Sequence, residues 1–186
     1  KSITFIDLAG HERYLKTTLS GINSTLCDYV MLIVGSNMGV SKMTKEHFNI
    51  AKVLNKPIII VITKLDICPD HILEKTINEI KEILNSNFAG EKKPWFIDNE
   101  KNAKKSSKVI ANMQNIYPIF MISNVNGTNI DNLKIFLENI ASPTKWDIYD
   151  KNDPLFLIED KFQVPGVGLV VSGVMKEGTI SLNDKL

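Results

Sequence analysis

The sequence predicts an α/β fold, a parallel sheet with crossover helices, followed by the start of an all-β unit. Three observations point to it. Short apolar, β-branched runs alternate with amphipathic helical patterns over residues 1–142, the grammar of a parallel sheet covered on both faces. Polar clusters follow several of these runs at once, where open α/β sheets hold their ligands. Beyond residue 153 the helical period stops and short strands separated by glycine turns begin.

Residues 2–13 read S-I-T-F-I-D-L-A-G-H-E-R, with Ile3, Phe5 and Ile6 forming a short apolar run expected of a buried strand. Leu15, Leu19 and Ile22 then recur at helical spacing over residues 12–23. Residues 29–34 (Y-V-M-L-I-V) read as a buried strand and 35–40 as a loop. Residues 44–54 read as a helix with Thr44 as N-cap and Phe48, Ala51 and Leu54 on one face. The run P-I-I-I-V-I-T at 57–63 is the clearest strand. Residues 70–84 carry a helical stripe of Ile72, Leu73, Ile77, Ile80 and Leu84.

Residues 85–115 are weakly patterned. An edge strand is expected at 94–97, and 101–108 reads as a polar, basic, solvated and flexible segment. Residues 119–122 form another strand, and 130–140 an amphipathic helix opened by the turn Asn126-Gly127. The expected division is a first domain at 1–142, a linker at 143–153 and the start of a β-barrel at 154–186. In that last part, strands are expected at 155–158, 168–172 and 179–182. His47, His71, Trp95 and Trp146 read as packing or surface residues.

The chain of 186 residues is 44% hydrophobic and 23% charged, which suits a soluble globular protein with a real core. A net charge of +1 gives no bulk electrostatic case for nucleic acid or membrane. Cys27 and Cys68 stand far apart in no metal-binding spacing, as expected of buried thiols in the reducing cytoplasm. No apolar run reaches membrane length. The absence of an initial methionine, and an end in mid-pattern, read as a fragment of a longer protein, expected to be monomeric.

Three polar clusters fall at predicted strand ends: Asp7 with Gly10 and His11, then Thr63-Lys64-Leu65-Asp66, then Ser123-Asn124-Val125. An acid leaving a buried strand needs a positive partner, and magnesium beside the terminal phosphate of a nucleotide supplies one. Gly10 lets backbone approach that phosphate. His11 stands where a side chain could orient attacking water, which matters in phosphoryl transfer because catalysis there is mainly positioning. Asp66 can accept hydrogen bonds from the N1–H and exocyclic amine of guanine; adenine would leave it unpaired, a mismatch worth about 10⁴-fold in discrimination. Lys64 can lay its aliphatic stem along the base, and backbone N–H groups near Asn124 can meet the base carbonyl.

These motifs resemble those of the translational GTPases, the elongation factor Tu and elongation factor 1-alpha group. D-L-A-G-H-E (Asp7 to Glu12) is similar to that family's third guanine-nucleotide motif, T-K-L-D to its fourth, and Ser123-Asn124-Val125 to its fifth, with Asn124 standing where alanine is usual. T-K-E-H, from Thr44 to His47, resembles the opening of the family's next helix. The wording around Gly35-Ser36-Asn37-Met38-Gly39 looks closest to the GTP-binding protein 1 and 2 subgroup.

The resemblance implies a P-loop GTPase (G) domain, a catalytic, water-positioning His11, bound GTP or GDP, and magnesium held by Asp7 through a water. It also implies tRNA and the ribosome as partners. The tail from Ile158 to Gly173 is similar to the first hairpin of the family's second domain, where Glu159, Asp160 and Phe162 would line the pocket for the aminoacylated end of tRNA.

No G-x-x-x-x-G-K-[S/T] run occurs in these residues. That loop cradles phosphates, and it and the first switch segment would lie before Lys1. The expectation is therefore a GTPase whose present 186 residues bind GTP weakly or not at all. The alternative is a non-hydrolysing paralogue acting as an RNA- or ribosome-binding module.

Overall fold

A computed structural model describes residues 2–11, 13, 27–85, 92–112, 116–143 and 151–185. Its centre is strand β2 (Ile58–Thr63), whose five apolar residues are all buried. Successive side chains of a strand point to opposite faces, so β2 feeds two cores. Ile58, Ile60 and Ile62 join Val34, Phe48, Ala51, Ile80 and Tyr117 on one face. Ile59 and Val61 join Ile97, Ala103, Ile110, Phe120 and Phe136 on the other. A strand covered on both sides reads as a near-continuous apolar run, without alternation.

The sheet has four parallel strands: β1 (Val30–Gly35), β2, β3 (Lys93–Ile97) and β4 (Ile116–Met121), in the order β1-β2-β4-β3. Helices α1 (Lys42–Val53) and α2 (Asp70–Asn85) cover the first core, with Phe48 against Tyr117 at 5.7 Å between ring centroids. Helices α3 (Glu100–Ala111) and α4 (Ile130–Asn139) cover the second, with Phe136 meeting Phe120 at 5.0 Å, near edge-to-face. Strands β5 (Leu155–Val164) and β6 (Gly168–Glu177) form a separate antiparallel hairpin. No helix among the described residues is long and apolar enough to cross a membrane.

Several expectations need correction. Residues 2–10 form no strand: Ile3, Phe5 and Ile6 are 42%, 68% and 48% exposed. A strand exists only where its backbone finds a neighbour, and this segment pairs with none among the described residues. The helix expected at 12–23 lies outside the described residues, apart from Arg13, as does Trp146.

Helix α1 starts at Lys42, capped by Ser41 and not by Thr44. The Ser41 hydroxyl accepts from the Thr44 N–H at 3.0 Å, while Thr44 Oγ1 accepts from the Ser41 N–H at 3.3 Å, a reciprocal capping box. Residues 101–108 are helical, within α3. Asn99 caps that helix by accepting from the Asn102 N–H at 2.9 Å, and Ala103, Ser106, Ser107 and Ile110 form its buried face. The strands at 155–158 and 168–172 are each longer than expected, and 179–182 is not a strand. The edge strand expected at 94–97 is present as β3, at the sheet edge.

Candidate functional site

Strands β1, β2 and β4 end level with one another, with Gly35 paired to Thr63 and Ile62 to Met121. The turns that leave them are therefore neighbours, and hydrogen bonds stitch them together. Ser36 lies at the centre of this stitching and is fully buried. Its N–H donates to the Thr63 carbonyl at 2.9 Å, and its hydroxyl to the Lys64 carbonyl at 3.0 Å. Its own carbonyl accepts from the Thr76 hydroxyl of α2 at 2.9 Å. One serine so ties the first strand end to the second, and to the helix beneath.

Lys64 has a left-handed backbone, φ 64° and ψ 36°. For a residue with a Cβ that conformation costs about 1 kcal/mol or more, and such strain gathers at functional turns. It swings the chain into the short 3₁₀ turn Leu65–Ile67 and leaves the Lys64 and Asp66 side chains exposed at the rim. The Leu65 N–H reaches across to the Ile122 carbonyl at 3.4 Å.

On the far side stands Ser123, also fully buried. Its hydroxyl donates to Asp66 Oδ1 at 2.6 Å, the length of a charge-assisted bond. The same oxygen accepts from the Val125 and Asn126 N–H groups at 3.2 and 3.4 Å. A tight turn holds this loop in shape: Asn126 Oδ1 accepts from the Thr128 N–H at 3.0 Å, and Gly127 sits at φ 78°, where glycine pays no Cβ penalty. Asn124 and Val125 project into solvent. Asn129 donates its amide to the Ile97 carbonyl of β3 at 2.8 Å, which fixes the start of α4.

The structure thus brings Thr63, Lys64, Asp66, Ser123, Asn124 and Val125 together on one rim. It does not bring the first cluster into that hydrogen-bonded set. Among the described residues, Asp7 and Gly10 lie on exposed irregular backbone that joins no strand, and apart from its chain neighbours nothing stands within 4 Å of where a Gly10 Cβ would be. His11 is exposed, and its Nδ1 accepts from the Arg13 N–H at 3.1 Å.

Glu159, Asp160 and Phe162 lie on β5 and are exposed. Asp160 pairs with Ser172 and Phe162 with Val170, while a register shift between Ile158 and Asp160 leaves Glu159 as the extra residue of a bulge. Opposite the bulge a Cβ on Gly173 would collide with the Leu157 carbonyl, so only glycine fits. Sequence reasoning missed Ser36, Thr76 and this bulge. The signal for Ser36 was slight: a small hydroxyl residue one place after β1, which is a half-buried edge strand and not the buried strand expected at 29–34.

A parallel sheet with these turns on its C-terminal rim, and an antiparallel hairpin beyond it, is the arrangement of a guanine-nucleotide-binding domain followed by the start of a β domain. The chain belongs to the family described as "Elongation factor Tu GTP binding domain", which matches residues 1–143. GTP-binding protein 1 of Xenopus laevis is 45% identical over all of this chain and 28% of its own length. GTP-binding protein 2 of Homo sapiens is 35% identical over all of this chain and 31% of its own. The selenocysteine-specific elongation factor of Methanocaldococcus jannaschii is 32% identical, over 99% of this chain and 34% of its own.

The chain therefore spans about a third or less of the length of these relatives. Among solved structures, elongation factor SelB from Methanococcus maripaludis in complex with the GTP analogue GppNHp superposes with a TM-score of 0.61. It is 23% identical and covers 96% of this chain and 34% of that one, a likeness that speaks for the fold.

Proposed function

We propose that the protein is a guanine-nucleotide switch that binds and hydrolyses GTP and acts with tRNA and the ribosome, or in mRNA surveillance. One observation carries the reading: the Asp66 carboxylate is held at the rim by Ser123, beside a strained, left-handed Lys64. A fixed, exposed carboxylate is the acceptor that guanine's N1–H and amine require. Lys64 flanks the base with its stem, Thr63 sets the start of the turn, and the backbone of Asn124 and Val125 faces the base carbonyl. The domain limits follow as 1–142, a linker at 143–153, and a β domain from 154.

Gly10 offers its N–H to the terminal phosphate, and His11 orients the attacking water. Among the described residues no group of three or more His, Cys, Asp or Glu could hold a metal. Magnesium usually keeps several waters and takes one or two carboxylates beside phosphate oxygens, a mode the exposed Asp7 carboxylate fits; the ion supplies charge neutralisation at the phosphates. Glu159, Asp160 and Phe162 would receive the aminoacylated end of tRNA. These 186 residues contain no G-x-x-x-x-G-K-[S/T] run and are proposed to bind GTP weakly or not at all on their own.

The test is base preference. In the full-length protein, Asp66→Asn presents an amide donor and should move preference from GTP toward xanthosine triphosphate. An unchanged preference for GTP removes Asp66 from base reading.

A further inference from the structure

Helix α3 carries more positive charge than its ion pair, Lys104 with Glu100, neutralises. Lys101, Lys104, Lys105 and Lys108 are exposed, and at 100° per residue they share an arc about 100° wide. The centre of that arc lies opposite the buried Ala103, Ser106, Ser107 and Ile110. Four lysines against Glu100 alone give this helix +3, so the other residues carry −2 of the chain's +1. The charge is segregated on a chain that is nearly neutral.

Neighbouring lysines extend the surface around the sheet edge. Lys105 stands over Trp95 at 5.7 Å from the ring centroid, and from the other face Lys81 of α2 stands over Phe96 at the same distance. Lys93 is exposed at the start of β3.

We infer that the lysine face of α3, with the β3 edge beside it, is a docking surface for the phosphate backbone of duplex RNA. Lys101 to Lys108 span about 10 Å of helix, enough to follow about three successive phosphates of one strand. Lysines are point charges without the planar fork of arginine, so they suit backbone contacts, which position without reading sequence. Single strands bind by stacking bases on open aromatic rings, and here Lys105 occupies the face of Trp95. A membrane-surface helix needs apolar groups beside its cations; the exposed positions of α3 are Glu100 and the lysines. The choice of RNA over DNA rests on the translational reading above; the phosphate surface does not.

The experiment is fluorescence anisotropy of the full-length protein with a labelled RNA duplex of about 20 base pairs over a salt series. The K101E/K104E/K105E/K108E variant should bind at least about tenfold more weakly at moderate salt. The slope of log affinity against log salt should shrink by about three to four. The matching Lys→Arg variant should keep both, which separates loss of charge from loss of the helix. Both variants should bind GTP as the unaltered protein does, so failure of the nucleotide reading and failure of this one remain distinguishable. Undiminished RNA binding by the charge-reversed protein overturns the proposal. So does equal or tighter binding to a polyglutamate peptide or to phosphatidylserine vesicles, and equal or tighter binding to a DNA duplex of the same sequence overturns RNA as the occupant.

Discussion

The hydroxyl of Ser123 donates to the carboxylate of Asp66 across 57 residues of sequence, at 2.6 Å. Because the same oxygen accepts two backbone N–H groups, it joins the turn after β2 to the turn after β4. Ser123→Ala removes a bond to a charged group, worth about 1.5–3 kcal/mol, and lets Asp66 rotate. Guanine-nucleotide affinity of the full-length protein should fall about tenfold or more. Equilibrium titration with a fluorescent GDP checks this; an unchanged constant would mean that Asp66 is held by other means.

Lys64 poses a separable question, because its backbone conformation and its side chain have different consequences. Lys64→Gly relieves left-handed strain of about 1 kcal/mol, while added freedom in the unfolded chain costs a similar amount, about 0.4–1 kcal/mol. Urea midpoints should therefore barely move. Nucleotide affinity should drop, since the stem that would cover the base is gone. A large stability change with intact binding would assign the lysine to folding instead.

The parts of this molecule that were legible in its sequence share a physical cause. Residues 58–63 announce a strand because both faces of β2 are buried, so no polar residue interrupts the run. Thr63-Lys64-Leu65-Asp66 and Ser123 stood out because polar residues follow at once on unbroken apolar runs.

Helix α3 was hidden by its composition. Its buried face is Ala103, Ser106, Ser107 and Ile110, too small and too polar to register as an apolar stripe. Residues 3–6 misled in the other direction. Their short apolar run is that of a buried strand, but a strand is a property of a pair, and local pattern cannot show whether the partner is present. On the hairpin, Glu159, Asp160 and Lys161 concealed a strand because both its faces are largely exposed there, so alternation has nothing to report.

Ser36 is the residue whose loss should be felt furthest from where it stands. Ser36→Ala deletes the bond to the Lys64 carbonyl and leaves that acceptor short of a partner, at a cost of about 1–3 kcal/mol. The lowered stability should appear as a shift in urea midpoint with an unchanged slope. The turn it holds should also loosen, so guanine over adenine discrimination should fall in the same variant. A stability loss with discrimination intact would restrict Ser36 to the fold.

Alkaline pH should unfold the domain through its tyrosines. Burial pushes the Tyr117 phenol up to about 12, and burial, with the charge of Asp28, does the same to Tyr29. An acid whose folded pKa exceeds its unfolded value near 10 holds its proton more tightly when folded. Its stabilisation is complete below pH 10 and is lost as pH rises towards 12.

Two other groups titrate nearby. Cys27, raised mainly by burial, begins to contribute a loss of the same sign from about pH 9. Lys92, lowered by burial and by the charge of Lys52, acts with the opposite sign, and its contribution is complete by about 10.5. The fall between about 10.5 and 12 should therefore carry the tyrosine signature. Tyr117→Phe cannot ionise and should flatten that part of the curve in thermal melts run from pH 9 to 12. An unaltered slope in the variant would show that the phenol of Tyr117 does not control alkaline unfolding.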